Sequence, residues 1–238
     1  MRLDKLLANM GFGSRKEVKF LLKEKRVTVN GQVQKNGSIH VDPESDRIEV
    51  DGERAVYEQY IYLMMNKPKG VISATKDSRE RTVVDLLSKE EKWFQPFPVG
   101  RLDKDTEGLL ILTNDGELAH QLTSPNKNVE KTYFAKIKGR VTAEDAEKFQ
   151  QGVTLDDGYH TKPAKLNIIA SGEQSEVEIT ITEGKFHQVK RMFLAVDKKV
   201  MYLKRIRMGD ITLDTSLAPG EYRRLTEKEL NYCLSLKR

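Results

Sequence analysis

Cysteine occurs once in this 238-residue chain, at position 233, which leaves no intrachain disulfide and no cysteine cluster for zinc. The four histidines, His40, His120, His160 and His187, are scattered without metal-ligand spacing. There is no Walker loop and no Rossmann glycine fingerprint, which argues against a nucleotide cofactor. No apolar run approaches the roughly 18 residues needed to cross a bilayer. The opening residues, MRLDKLLANMG, also lack the apolar core of a signal peptide. The expectation is a soluble cytoplasmic chain with no metal, no cofactor and no membrane partner.

What the chain does have is concentrated basic charge. The formal net charge is +5, yet residues 1–35 alone carry +6 and residues 183–207 another +6, so the remainder carries −7. Two basic stretches on an acidic body suit a polyanionic partner whose binding weakens with salt, although solvated helix faces would look the same by charge alone.

Near the start, Leu3, Leu6, Leu7 and Met10 recur at helical spacing, as do Val18, Leu21 and Leu22. Ser14 and Glu17 form the outer pair of a capping box for the second helix. Arg26 to Val33 reads as two short strands around an Asn30-Gly31 turn. Arg2, Lys5, Arg15, Lys16 and Lys19 lie on or beside these helices, where phosphates could meet them. The charged segment 51–59 is expected to be a linker between a module over 1–50 and a larger domain over 60–238.

In the larger domain the pattern predicts strands over 61–65, 109–113, 129–138, 164–170, 176–182, 203–208 and 211–213. Helices are expected over 82–87, from Asp115, over 143–151 and over 227–236. Phe186, Val189, Phe193 and Val196 read as the inward face of a further helix, with His187, Lys190, Arg191 and Leu194 on its other side. This order favours α+β, with a mixed, mainly antiparallel sheet flanked by helices.

The segment Gly100-Arg-Leu-Asp-Lys-Asp-Thr-Glu-Gly-Leu-Leu-Ile-Leu-Thr-Asn-Asp-Gly116 puts Asp103 in a polar turn before an apolar strand. A lone turn aspartate is common. A calcium loop is imitated by Asp103, Asp105, Glu107 and Gly108, but its twelfth position is Asn114 instead of Glu. The whole phrase resembles the catalytic motif of the pseudouridine synthases that modify ribosomal RNA. Asn66-Lys-Pro-Lys-Gly70, Glu130-Lys-Thr-Tyr133 and Gly184 to Phe193 resemble three further motifs of that family. Residues 1–50 resemble the S4-like RNA-binding domain through Arg2-Leu-Asp-Lys-Leu-Leu, Gly13-Ser-Arg and Val27-Thr-Val-Asn-Gly31.

The resemblance implies Asp103 as catalytic carboxylate, Tyr133 lining the uracil pocket and Lys190 as its cationic partner, where many members carry arginine. It implies Arg101 as the residue that helps displace the target nucleotide, with His187 and Arg191 on the RNA and Lys67 there too, in a motif that is either structural or RNA-contacting. The ending, from Gly209 to Thr226, is similar to the small-subunit RsuA type, which implies uridine-516 of 16S rRNA as target. The rRNA would be met naked or within an assembling small subunit, by an enzyme expected to be a monomer. Two alternatives stay open: a 23S rRNA synthase, and a non-catalytic ribosome-assembly factor that keeps the fold.

Overall fold

The computed structural model describes residues 1–55 and 57–237. Val56, inside the expected linker, lies outside the described residues. The chain divides into two compact units, Met1–Ile61 with Leu87–Pro96, and Tyr62–Leu86 with Phe97–Arg238.

In the first unit, α1 (Leu3–Asn9) and α2 (Arg15–Lys23) bury Leu3, Leu6, Leu7, Val18 and Leu22 against strands β1 (Val27–Val29) and β3 (Ile48–Val50). The Ser14 capping box forms, with Glu17 N–H donating to the Ser14 hydroxyl and Ser14 N–H donating to the Glu17 carboxylate. Asn30 and Gly31 both take positive φ, as a tight hairpin into β2 (Gln32–Val33) requires. The expected linker is in part structured. An Asp51-Gly52 turn with positive φ at both residues leads into β4 (Glu53–Arg54), which completes the sheet in the order β2-β1-β3-β4. Its two residues are polar and exposed at a sheet edge, so no hydrophobic alternation marks it. Helix α3 (Lys89–Trp93), which has no counterpart in the sequence reading, belongs to this unit although its residues fall within the expected domain over 60–238.

The second unit is built on a nine-stranded sheet. Its strands are β5 (Tyr62–Lys67), β6 (Phe97–Pro98), β7 (Glu107–Thr113), β8 (Lys131–Lys138), β9 (Lys165–Ala170), β10 (Gln174–Ile181), β11 (Lys199–Met208), β12 (Ile211–Thr212) and β13 (Tyr222–Arg224). The order is β13-β5-β7-β11-β8-β10-β9, with β12 on β11 and β6 on β7. Among the described residues only β7 and β11 pair in parallel. The sheet is thus mixed and mainly antiparallel, as expected. Helices α4 (Gly116–Thr123), α5 (Ala143–Gln151), α6 (Gln188–Leu194) and α7 (Glu227–Ser235) flank it. Leu118 and Leu122 of α4 and Cys233 of α7 share a core with Met64, Leu109, Ile111 and Met208. Phe149 of α5 meets Phe193 of α6 edge-on, with centroids 5.0 Å apart. Strand β5 runs through Asn66 and Lys67 instead of stopping before them, and both are buried.

Gly108 explains how the β7–β11 pair approaches so closely beside Asp103. It has φ +101°, and a Cβ there would fall 2.2 Å from the Arg205 carbonyl oxygen. Gly108→Ala should therefore cost at least about 2 kcal/mol in urea unfolding, from strain and clash together. A loss under about 0.5 kcal/mol would show that the two strands have room to part.

Candidate active site

Asp103 sits on the segment between β6 and β7, and that segment is pinned from several sides. Val99 N–H donates to the Ile111 carbonyl at 2.8 Å, and Thr106 N–H closes a turn onto the Asp103 carbonyl at 3.1 Å. The Ser73 hydroxyl accepts from Leu102 N–H and donates to the Leu102 carbonyl. Gly70 N–H donates to the Lys104 carbonyl at 2.7 Å. Beneath lies Lys67, fully buried, whose ammonium donates to the carbonyls of Thr106 (2.8 Å) and Pro68 (3.0 Å). Lys67 therefore does not reach RNA as expected from its motif; its charge is used inside the protein to fix the loop. Burial pushes that ammonium down to about 8, against the opposing pull of Asp103, Asp105 and Glu107.

Held this way, the Asp103 carboxylate meets two side chains from the segment around α6. Lys190 Nζ lies 3.1 Å from one oxygen, and His187 Nε2 lies 3.6 Å from the other. Lys190 also donates to Asp105 at 2.6 Å. Burial pushes the Asp105 carboxyl up, but the Lys190 ammonium outweighs it and holds the group below its usual range. Burial likewise pulls Lys190 down, and its two carboxylates outweigh that and raise it. Lys190 thus stays charged at neutral pH.

Tyr133, 7% exposed on β8, lines a narrow cleft of about 60 Å³ with Arg101, Asp103, Ile181, Val189 and Leu203. Thr106 lines it too, and its buried hydroxyl has no hydrogen-bond partner among the described residues. Arg101 is exposed at the rim. A carboxylate, a fixed cation, an aromatic wall and an unused hydroxyl together suit a planar polar group.

The other expected residues divide. Helix α6 starts at Gln188, so Phe186 does not face inward; it is 75% exposed and stacks on His187, 3.8 Å between centroids. The cause is local. Gln188 accepts from Lys185 N–H and donates to Glu183, and His187 takes a left-handed φ of 49°, which turns Phe186 outward. Arg191, expected on the RNA, is ion-paired with the exposed carboxylates of Asp156 and Asp157. Arg2 is likewise tied to Asp4 by two hydrogen bonds. Lys5, Arg15, Lys16 and Lys19 are exposed on the first unit, and exposed Phe20 sits one turn from Lys16. Phe20 was missed, although it stands off the Val18, Leu21 and Leu22 stripe. Ser73 was missed as well, with nothing in its local sequence to mark it, and so was Thr106, although it lies inside the Gly100 to Gly116 phrase.

Sequence and fold are both similar to those of known proteins. The model of a family described as RNA pseudouridylate synthase matches residues 61–195, and the S4 domain matches residues 1–48. The chain belongs to the RNA pseudouridylate synthase family and is an isomerase of that class. Among its relatives, the uncharacterized RNA pseudouridine synthase YtzG of Bacillus subtilis is 56% identical over 97% of both chains. Ribosomal small subunit pseudouridine synthase A of Escherichia coli is 42% identical over 97% of this chain and 98% of its own. A solved structure described as a pseudouridylate synthase superposes with a TM-score of 0.68 at 36% identity, covering 98% of this chain and 99% of that one.

The buried lysine predicts a pH signature. Its folded value of about 8 lies below the ordinary 10.5, so between these pH values the unfolded chain holds a proton the folded one has released. Wild-type stability should therefore rise relative to Lys67→Met across that window, by up to about 1.4 kcal/mol per pH unit. Urea unfolding of both proteins at several pH values checks this; a constant difference would mean Lys67 titrates as a solvated lysine.

Proposed function

We propose that this chain isomerises one uridine of small-subunit 16S rRNA, uridine-516, to pseudouridine, acting as a monomer. The observation that carries the reading is the Asp103 carboxylate 3.1 Å from the Lys190 ammonium beside the Tyr133 ring. The small-subunit target is supported by the printed name of the Escherichia coli relative.

The reaction breaks the C1′–N1 bond, turns the uracil and forms a C1′–C5 bond. C5 loses a proton and N1 gains one, so nothing is oxidised and no group is imported. The base must first leave its stack, at a cost of a few kcal/mol, which the aromatic and apolar cleft offsets. Arg101, exposed and without a protein partner among the described residues, then occupies the vacated stack or holds its phosphate. Asp103 then acts on the extruded nucleotide, with Lys190 stabilising the carboxylate where water is excluded. Lys5, Arg15, Lys16 and Lys19 of the S4 unit supply phosphate contacts that hold the rRNA.

Asp103→Asn should abolish that single pseudouridine in 16S rRNA of cells carrying only the variant, with rRNA affinity within about threefold of wild type. If every pseudouridine persists, the chain is a binding factor and not this enzyme; loss of a 23S site instead would move the target to the large subunit. Lys190→Met should slow conversion on the order of 10²-fold, and Lys190→Arg should recover part of the loss. Equal rates for both variants would remove Lys190 from the reaction.

A further inference from the structure

A second cavity, of about 270 Å³, adjoins the cleft around Asp103 and shares Arg101, Tyr133, Gly184 and Lys185 with it. Two buried cations form its inner wall. Lys131 is 7% exposed, and its ammonium has one hydrogen bond among the described residues, to the Val129 carbonyl. Arg205 is 2% exposed; its Nε donates to the Leu109 carbonyl, while its buried Nη2 has no partner. Arg205 is in register with Tyr133 across the β8–β11 ladder, and Lys131 lies two residues earlier on the same strand face. The mouth adds exposed Lys162 and Lys185. Its one carboxylate, Glu183, is engaged by Tyr159, Gln188 and the Lys162 backbone, with no ion pair to either inner cation.

Two like charges buried side by side with no counter-ion oppose folding. Burial, with the Arg205 charge added, pushes Lys131 down to about 8. A dianionic or monoanionic oxygen group would satisfy both cations and the idle Nη2, and guanidinium is suited to phosphate oxygens.

We infer that this cavity is an anion subsite that takes a backbone phosphodiester of the RNA next to the nucleotide held at Asp103. The inference rests on the reading of the chain as an RNA-modifying enzyme. Lys131 and Arg205 grip the phosphate from within, and Lys162 and Lys185 guide it through the mouth. Tyr133 then borders both a base site and a phosphate site, so the two cavities together read one nucleotide and its neighbouring linkage. Lys131 is a binding residue on this account, kept at a cost in stability.

The test uses the full-length protein and Lys131→Met, with Lys162→Ala/Lys185→Ala as a second variant whose changes lie at exposed positions. Binding to a 16S rRNA fragment is measured against salt, and inorganic phosphate alone is titrated by calorimetry. In Lys131→Met the plot of log K against log salt should become shallower by about 0.7, the contribution of one single-strand phosphate. Its melting temperature should equal or exceed that of wild type, since a buried unpaired charge has gone. The double variant should lose slope as well, and inorganic phosphate should bind wild type but not Lys131→Met. An unchanged salt slope in both variants overturns the inference. If phosphate binds wild type while the RNA slope ignores both variants, the cavity holds a free anion and the RNA assignment is wrong. A Lys131→Met protein that melts lower and binds phosphate normally makes Lys131 a structural residue only. These readouts measure binding, so they stand or fall separately from whether Asp103 makes pseudouridine.

Discussion

One ammonium group organises the site. Lys190 lies within hydrogen-bonding reach of two carboxylates, Asp103 and Asp105, that belong to one short segment of chain. Two carboxylates this near in sequence, partly withdrawn from water, would otherwise repel each other. The shared cation removes that conflict and leaves Asp103 facing a cleft walled by Tyr133, Ile181 and Val189. A point charge also differs from an arginine at this place, because it sets no planar geometry and can serve both carboxylates.

The fold exists, from this viewpoint, to hold that pair in register. Asp103 comes from the approach to β7 and Lys190 from α6, far apart in sequence and joined through β11, which pairs with β7 and carries α6 before it. Gly108 allows β7 and β11 to come together, and Lys67 fixes the loop between β6 and β7 from beneath. Both devices are unfavourable in isolation: a left-handed glycine costs chain entropy, and a buried lysine costs hydration. Each is tolerated because it acts on the segment that bears the carboxylate. The paired cations of the neighbouring cavity follow the same pattern, charge retained where packing alone would exclude it.

Much of this was legible in the residues. The phrase from Gly100 to Gly116 located the strand that follows Asp103, and the apolar spacing of Leu3 to Leu22 with the Ser14 box located both helices of the S4 unit. Short polar elements were not legible, because Glu53–Arg54 and Tyr222–Arg224 carry no alternation and are defined by the strands they pair with. Lys67 was misread for a different reason. A lysine between Asn and Pro looks solvent-facing, since lysine is rarely buried, and only the tertiary fold brings carbonyls around it. Phe186 failed because helical periodicity cannot reveal where a helix begins, and the Gln188 contacts with Glu183 and Lys185 start α6 one turn late.

The most direct test of the central claim is conversion itself. Purified wild-type protein is incubated with unmodified 16S rRNA, free and bound by small-subunit ribosomal proteins, and pseudouridine is mapped at every position. The account predicts stoichiometric appearance of a single pseudouridine, at uridine-516, in at least one of the two substrates and without any added cofactor. Complete absence of pseudouridine from both, with the protein folded and bound to the RNA, would contradict it.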